Sequence, residues 1–236
     1  ITCSDDNPDT EMALAEMLVA RRIDALLVSS ALPADSTFYR ELQAKGVPII
    51  AIDRALDDEK FASVISEDLD GAIKLTNSLL SPLPATVGLL GAVADLGISH
   101  ERERGFLSAL REAEISTEPL IAYGEHFSRS EGARICAEWI AKGVMPEALV
   151  TTSYVLLEGV LDTLREYPEV MQNIRLATFG DNQLLDFLPA KVNALPQQFS
   201  LIADRALELA LAATEHNYTP GVEVIPRRLK VRSHTG

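Results

Sequence analysis

Val47-Pro48-Ile49-Ile50-Ala51-Ile52-Asp53-Arg54 is an apolar, β-branched run that ends on a carboxylate and a guanidinium. A strand that is apolar at every position, and not at every second one, is covered on both faces. Strands of a parallel sheet read this way. In an open α/β sheet, ligands bind outside the carboxyl ends of the strands, and Asp53 and Arg54 stand at that end. The carboxylate can accept from sugar hydroxyls, and the guanidinium can donate a fork of hydrogen bonds to an anion. Taken alone, the pair is equally an exposed loop ion pair of little energetic weight, so the rest of the chain has to decide.

Working outward, apolar runs and helical patterns alternate. Strands are expected at 23–29, 85–90, 120–123, 148–151, 174–179 and 194–195, with a short extended piece at 61–66 and extended structure over 222–231. Helices are expected at 10–21, with Met12, Leu14, Met17 and Leu18 on one face, and at 36–45, 70–80, 128–142, 155–166 and 199–214. A further helix at 100–112 takes Ser99 as its N-cap. Strict alternation means parallel sheets built from right-handed βαβ units. The elements are too many for one small sheet, and 236 residues suit two compact units. The expected fold is therefore α/β: two Rossmann-like lobes with parallel sheets and a ligand cleft between them.

The formal net charge of −14 argues against direct grip on DNA, RNA or an anionic membrane, because phosphate contacts need clustered Lys and Arg. A small anionic ligand needs only a local cationic pocket. No apolar run is long enough to cross a bilayer and no signal peptide is evident. Cys3 and Cys136 lie far apart, with neither metal spacing nor a disulfide framework, which fits a reducing cytoplasm. The acidic stretch Asp57-Asp58-Glu59-Lys60 and the charged run 101–104 read as solvated faces.

Several polar residues fall just beyond expected strands: Ser29 and Ser30, Asp53 and Arg54, Ser153 and Tyr154, Gly180 and Asp181. Each alone reads as a loop or cap residue; their shared position is what a cleft lining requires. No nucleophile, base and orienter fall together, and no glycine-rich phosphate loop occurs, so the chain is read as a binding protein and not an enzyme. The four histidines, at 100, 126, 216 and 234, are scattered. Asp5, Asp6 and Asp9 lack calcium-loop spacing and read as helix N-terminal charge. No cofactor and no metal are expected.

In register along the chain stand Ile52-Asp53-Arg54-Ala55-Leu56-Asp57, Arg102-Glu103-Arg104-Gly105-Phe106, Pro146-Glu147-Ala148-Leu149-Val150, Thr151-Thr152-Ser153-Tyr154-Val155, Thr178-Phe179-Gly180-Asp181-Asn182, and Gln197 before the long helix. This series resembles the effector-binding core of the LacI-type bacterial transcription regulators, and within it the fructose-repressor branch. The resemblance implies a periplasmic-binding-protein-like fold, with residues 1–66 plus 198–225 as the N-terminal lobe and 67–197 plus 226–236 as the C-terminal lobe. It also implies that roughly the first strand and helix of the core, and the DNA-binding headpiece, lie outside this sequence. By resemblance, Arg102 is the cleft arginine, although it also reads as an exposed helix arginine beside Glu101 and Glu103. Asp53 accepts from sugar hydroxyls, Arg54 favours an anion, and Ser29 is a polar contact. Phe127 is either an aromatic platform for a sugar face or a core aromatic at a helix start. Ser153, Asp181 and Gln197 complete the effector-binding set, with the register of Asp181 open by one residue because the glycine is shifted relative to most of the family.

The resemblance implies a cytoplasmic homodimer, with pairing of dimers into tetramers left open, whose effector is fructose 1-phosphate and, more weakly, fructose 1,6-bisphosphate. Operator DNA would be reached through the headpiece alone. The alternative on the same fold is a periplasmic sugar-binding protein of a transport or chemotaxis system.

Overall fold

The computed structural model describes residues 1–57 and 59–232; Asp58 and His234, named above, lie outside the described residues. The chain divides into two compact units, Ile1–Glu67 with Gln198–Pro226, and Asp68–Gln197 with the segment from Arg227 on.

The first unit holds α1 (Pro8–Ala20), β1 (Leu26–Val28), α2 (Thr37–Ala44), β2 (Ile49–Ile52), β3 (Ala62–Ser66), and, from its second stretch of chain, α8 (Phe199–Thr214) and β9 (Gly221–Ile225). Its four strands run parallel in the order β1-β2-β3-β9. The apolar run of β2 is buried on both faces: Ile49 and Ala51 join the core with Tyr39, Leu42 and Phe61, while Ile50 joins Val64, Ile202 and Ala206 beneath α8. A continuous apolar strand is what double coverage demands.

The second unit holds α3 (Leu69–Asn77), β4 (Val87–Ala92), α4 (Gly97–Glu112), β5 (Leu120–Gly124), α5 (Arg129–Ala141), β6 (Ala148–Thr151), α6 (Tyr154–Leu164), α7 (Pro168–Asn173), β7 (Arg175–Phe179) and β8 (Val192–Leu195). Its five strands are parallel in the order β5-β4-β6-β7-β8. Counted within the unit, this is 2-1-3-4-5, a doubly wound sheet whose direction of winding reverses between β4 and β6. Alternate residues again serve opposite faces: Val87 and Leu89 pack with Phe106 under α3 and α4, and Leu90 and Ala92 pack with Trp139 and Leu157 under α5 and α6. The pair α5 and α6 approach so closely that a Cβ on Gly159 would lie 1.9 Å from the Arg129 carbonyl oxygen, and one on Gly132 would lie 2.1 Å from that of Leu156. Only glycine permits that contact.

Details differ from the sequence reading. Helix α1 starts at Pro8, where Asn7 caps it by accepting from Thr10 N at 2.9 Å. Its buried residues are Glu11 and Ala15, and Leu18 and Val19 pack against the same core, so the inner face keeps Leu18 of the expected stripe and is turned from Met12, Leu14 and Met17. Helix α4 starts at Gly97, not beside Ser99. Ser99 lies inside the helix, and its hydroxyl donates toward the carbonyls of Ala92 and Val93, 3.1 and 2.9 Å away, which ties α4 to the end of β4. Helix α7 and a 3₁₀ turn over Gln183–Phe187 were not expected; both are too short to show a period. The final extended stretch is interrupted: β9 ends at Ile225, and Lys230 then exchanges backbone hydrogen bonds with Ala194 of β8.

Candidate functional site

In the first unit, the carboxyl ends of β1 and β2 are joined by a polar network. After β1, Ser29 is exposed and Ser30 is buried. Ser30 Oγ donates to Glu11 Oε1 at 2.5 Å, Ala31 N donates to Oε2 at 2.7 Å, and Tyr39 OH donates to Oε1 at 2.5 Å. Glu11 is thus a buried carboxylate satisfied by three donors, the condition under which burial of such a group is tolerated. Burial, reinforced by Glu11, raises the Tyr39 phenol well above its ordinary pKa and keeps it a donor.

After β2 the backbone turns sharply. Asp53 has φ 67°, and Arg54 N donates to Ile52 O at 2.7 Å across it. This is the rare form of γ-turn with a positive central φ, and Asp is one of the few side chains that tolerates that region. Strain of this kind concentrates at ligand-holding sites. Arg54 Nη1 donates to Ser30 O at 3.2 Å and to Asp6 Oδ1 at 2.8 Å. The structure therefore brings Ser30, Asp53 and Arg54 together, with Glu11 beneath them.

In the second unit the centre is Arg102. It projects from α4 and is buried, not exposed beside its glutamate neighbours. Its Nε donates to Asp68 Oδ1 at 2.7 Å, its Nη1 donates to the Thr152 carbonyl at 2.7 Å, and its guanidinium carbon lies 4.4 Å from the centroid of the Phe179 ring. Thr152 follows β6 and Phe179 ends β7, so Arg102 stands at the carboxyl ends of two adjacent strands. Arg227 shares the same carboxylate: its Nη2 donates to Asp68 Oδ1 at 3.1 Å, and its guanidinium lies 5.3 Å from the Phe179 centroid. Two cations and an aromatic ring on one carboxylate make a cationic centre inside an acidic chain.

The remaining expected residues divide. Ser153 caps α6, accepting from Leu156 N at 3.3 Å. Phe127 is half-buried and packs against the core under α5 and α6. Gln197 is half-buried at the last residue before the chain returns to the first unit. Asp181 is turned into an ion cluster with the final segment: Arg232 Nη2 lies 2.6 Å from Oδ1 and Lys230 Nζ 3.5 Å from Oδ2, while both cations also bind Asp186. Asp181 thus ties the segment after β9 to the carboxyl end of β7. Among the described residues, no cluster of three or more His, Cys, Asp or Glu could hold a metal ion, and no helix is long and apolar enough to cross a membrane.

Glu11, Asp68 and Arg227 were not singled out in the sequence. One signal was legible: Arg102 lies on the apolar stripe with Phe106 and Ala109, and an arginine on a buried face requires a carboxylate.

Residues 3–159 match the family of periplasmic binding proteins and the sugar-binding domain of the LacI family, and residues 85–235 match a periplasmic-binding-protein-like domain. The chain belongs to the LacI family. Among members, it is 57% identical to the fructose operon regulatory protein of Vibrio cholerae over 99% of this chain and 71% of that protein. It is 40% identical to the catabolite repressor/activator of Escherichia coli over 97% of this chain and 69% of that protein. A solved structure, the Cra transcriptional dual regulator of Pseudomonas putida in complex with fructose 1-phosphate, superposes with a TM-score of 0.93 at 51% identity, covering 99% of this chain and 86% of that one.

Proposed function

We propose that this chain is the effector-sensing and dimerisation core of a cytoplasmic transcription regulator of sugar metabolism, with fructose 1-phosphate as its effector. The observation that carries the reading is the pair of arginines at the carboxyl ends of the strands. Arg54 stands in the first unit and Arg102 in the second, each already paired with a carboxylate. In a chain of net charge −14, these are the groups suited to a phosphosugar: the guanidinium fork matches phosphate geometry, and Asp53 suits the sugar hydroxyls. The likeness to the Pseudomonas putida regulator crystallised with fructose 1-phosphate supports that ligand, and fructose 1,6-bisphosphate is the weaker candidate. The named relatives favour a regulator over a periplasmic binding protein.

The mechanism follows from linkage. A ligand shifts a conformational equilibrium only by its unequal affinity for the two states. Phosphate binding to Arg102 competes with Asp68 for the guanidinium, so the ligand-bound state differs at the segment where the chain enters the second unit. The acidic core leaves operator contact to a separate headpiece, and a two-fold dimer matches near-palindromic sites.

A gel-shift titration tests this reading: full-length protein on its operator is challenged with fructose 1-phosphate, fructose and glucose 6-phosphate. Release by fructose 1-phosphate alone is the expected result. Release by unphosphorylated fructose, or by none of the three, contradicts it.

A further inference from the structure

Arg54 is held by a carboxylate delivered from a distant turn, 48 residues earlier in the chain. Asp5 and Asp6 adopt consecutive left-handed conformations, with φ 51° and 57°. Such conformations are routine only for glycine, and Asp or Asn adopt them as single residues. The turn leads directly into Asn7, whose side chain caps α1. A rigid helix start thus anchors a strained turn, and the turn aims Asp6 at Arg54 Nη1 across 2.8 Å. The Arg54 side chain is 19% exposed and that of Asp6 is 66% exposed. Arg54 Nε is buried and has no hydrogen-bond partner among the described residues. Its guanidinium is therefore committed at Nη1 and unsatisfied at Nε.

We propose that Asp6 is a built-in competitor for the ligand's phosphate, a specificity-determining residue that sets how strongly Arg54 responds to an anion. The proposal rests on the reading of Arg54 as a phosphate ligand. A phosphate group reaching Arg54 has to displace Asp6 from Nη1, and that competition lowers its affinity. An unphosphorylated sugar escapes this cost, because a hydroxyl can donate to Asp6 and accept from Arg54 together. Asp6 thus narrows the advantage of phosphorylated over unphosphorylated sugars. An exposed ion pair of this kind shifts an equilibrium constant by about two- to fivefold.

The test is calorimetric titration of the full-length protein with fructose 1-phosphate and with fructose, using the wild type, Asp6→Asn, Arg54→Ala and the double variant. Asparagine tolerates the left-handed backbone, so the turn is retained. The expected result is that Asp6→Asn binds fructose 1-phosphate about two- to fivefold more tightly at low salt, with fructose unchanged. The gain shrinks as salt screens the wild-type pair, and it disappears in the Arg54→Ala background. Unchanged or weaker phosphosugar binding by Asp6→Asn overturns the proposal, as does a gain that survives Arg54→Ala. If Arg54→Ala weakens fructose 1-phosphate binding and Asp6→Asn gives no gain, the role of Asp6 alone fails. If the wild type does not prefer the phosphosugar and Arg54→Ala changes nothing, the reading of Arg54 fails and the proposal with it.

Discussion

Replacing Asp68 with alanine tests the cationic centre of the second unit by its energetics. Asp68 Oδ1 accepts from both Arg102 and Arg227, and the three side chains are 9%, 8% and 2% exposed. Taking away the carboxylate leaves two buried guanidiniums without it. Breaking a buried ion pair from one side costs about 3–5 kcal/mol, because the surviving charge has lost its compensation. Here Arg102 keeps the Thr152 carbonyl and the face of Phe179, and Arg227 keeps the Leu195 carbonyl. Those contacts place the cost near the bottom of the range, about 3 kcal/mol. For a chain of this size that is a fall in Tm of about 6–12 °C. Thermal unfolding followed by circular dichroism reads it directly. A second arm adds fructose 1-phosphate: on the proposed reading its phosphate supplies an anion to Arg102, and the ligand then stabilises Asp68→Ala by more degrees than it stabilises the wild type. A loss under about 1 kcal/mol would refute the reasoning, since that is the worth of an exposed pair and not of a buried one.

Other consequences follow from the same geometry. Glu11→Ala strands the Tyr39 hydroxyl and the Ala31 amide, and urea denaturation should show a loss of about 2–4 kcal/mol, with Glu11→Gln costing less because it keeps one acceptor oxygen. Gly159→Ala drives a Cβ to within 1.9 Å of a backbone carbonyl, so soluble yield and Tm should fall sharply, by more than about 3 kcal/mol of stability; a fall smaller than 1 kcal/mol would mean that α5 and α6 are not so close. Burial pushes the Cys136 thiol up to about 12, while Cys3 is exposed, so a thiol reagent at pH 8 should label one cysteine quickly in the native protein and two after unfolding. The phenols of Tyr39 and Tyr123 are raised by burial and by Glu11 and Glu103, respectively. The fold therefore favours their protonated forms, and that contribution to stability is complete below pH about 10 and declines as pH rises past the ordinary tyrosine value. Ultraviolet difference titration should find these two ionising later than exposed tyrosines.

The sheets were the most legible part of the sequence. Strands such as 47–52 and 148–151 are apolar at consecutive positions, a pattern that double-sided burial explains and solvent exposure does not. The position of Arg54 was legible for the same reason, since a strand's end can be read from where its apolar run stops. The partners of the site residues were not legible, because they come from far along the chain: Asp68 reaches Arg102 across 34 residues and Arg227 across 159. Glu11 hid in a helix whose other inward residues are apolar, and no local pattern announces that a serine, a tyrosine and a backbone amide will meet it. Asp181 is a further case: that it follows a strand was legible, but its ion-pair partners, Lys230 and Arg232, stand about 50 residues later.

The most direct measurement is calorimetric titration of the full-length protein with fructose 1-phosphate, set against fructose, glucose 6-phosphate and fructose 1,6-bisphosphate and repeated with Arg102→Ala. The account predicts selective binding of fructose 1-phosphate, a weaker response to the bisphosphate, and loss of both in the variant. Equal binding of fructose and its phosphate, or undiminished binding by Arg102→Ala in a folded protein, would contradict it.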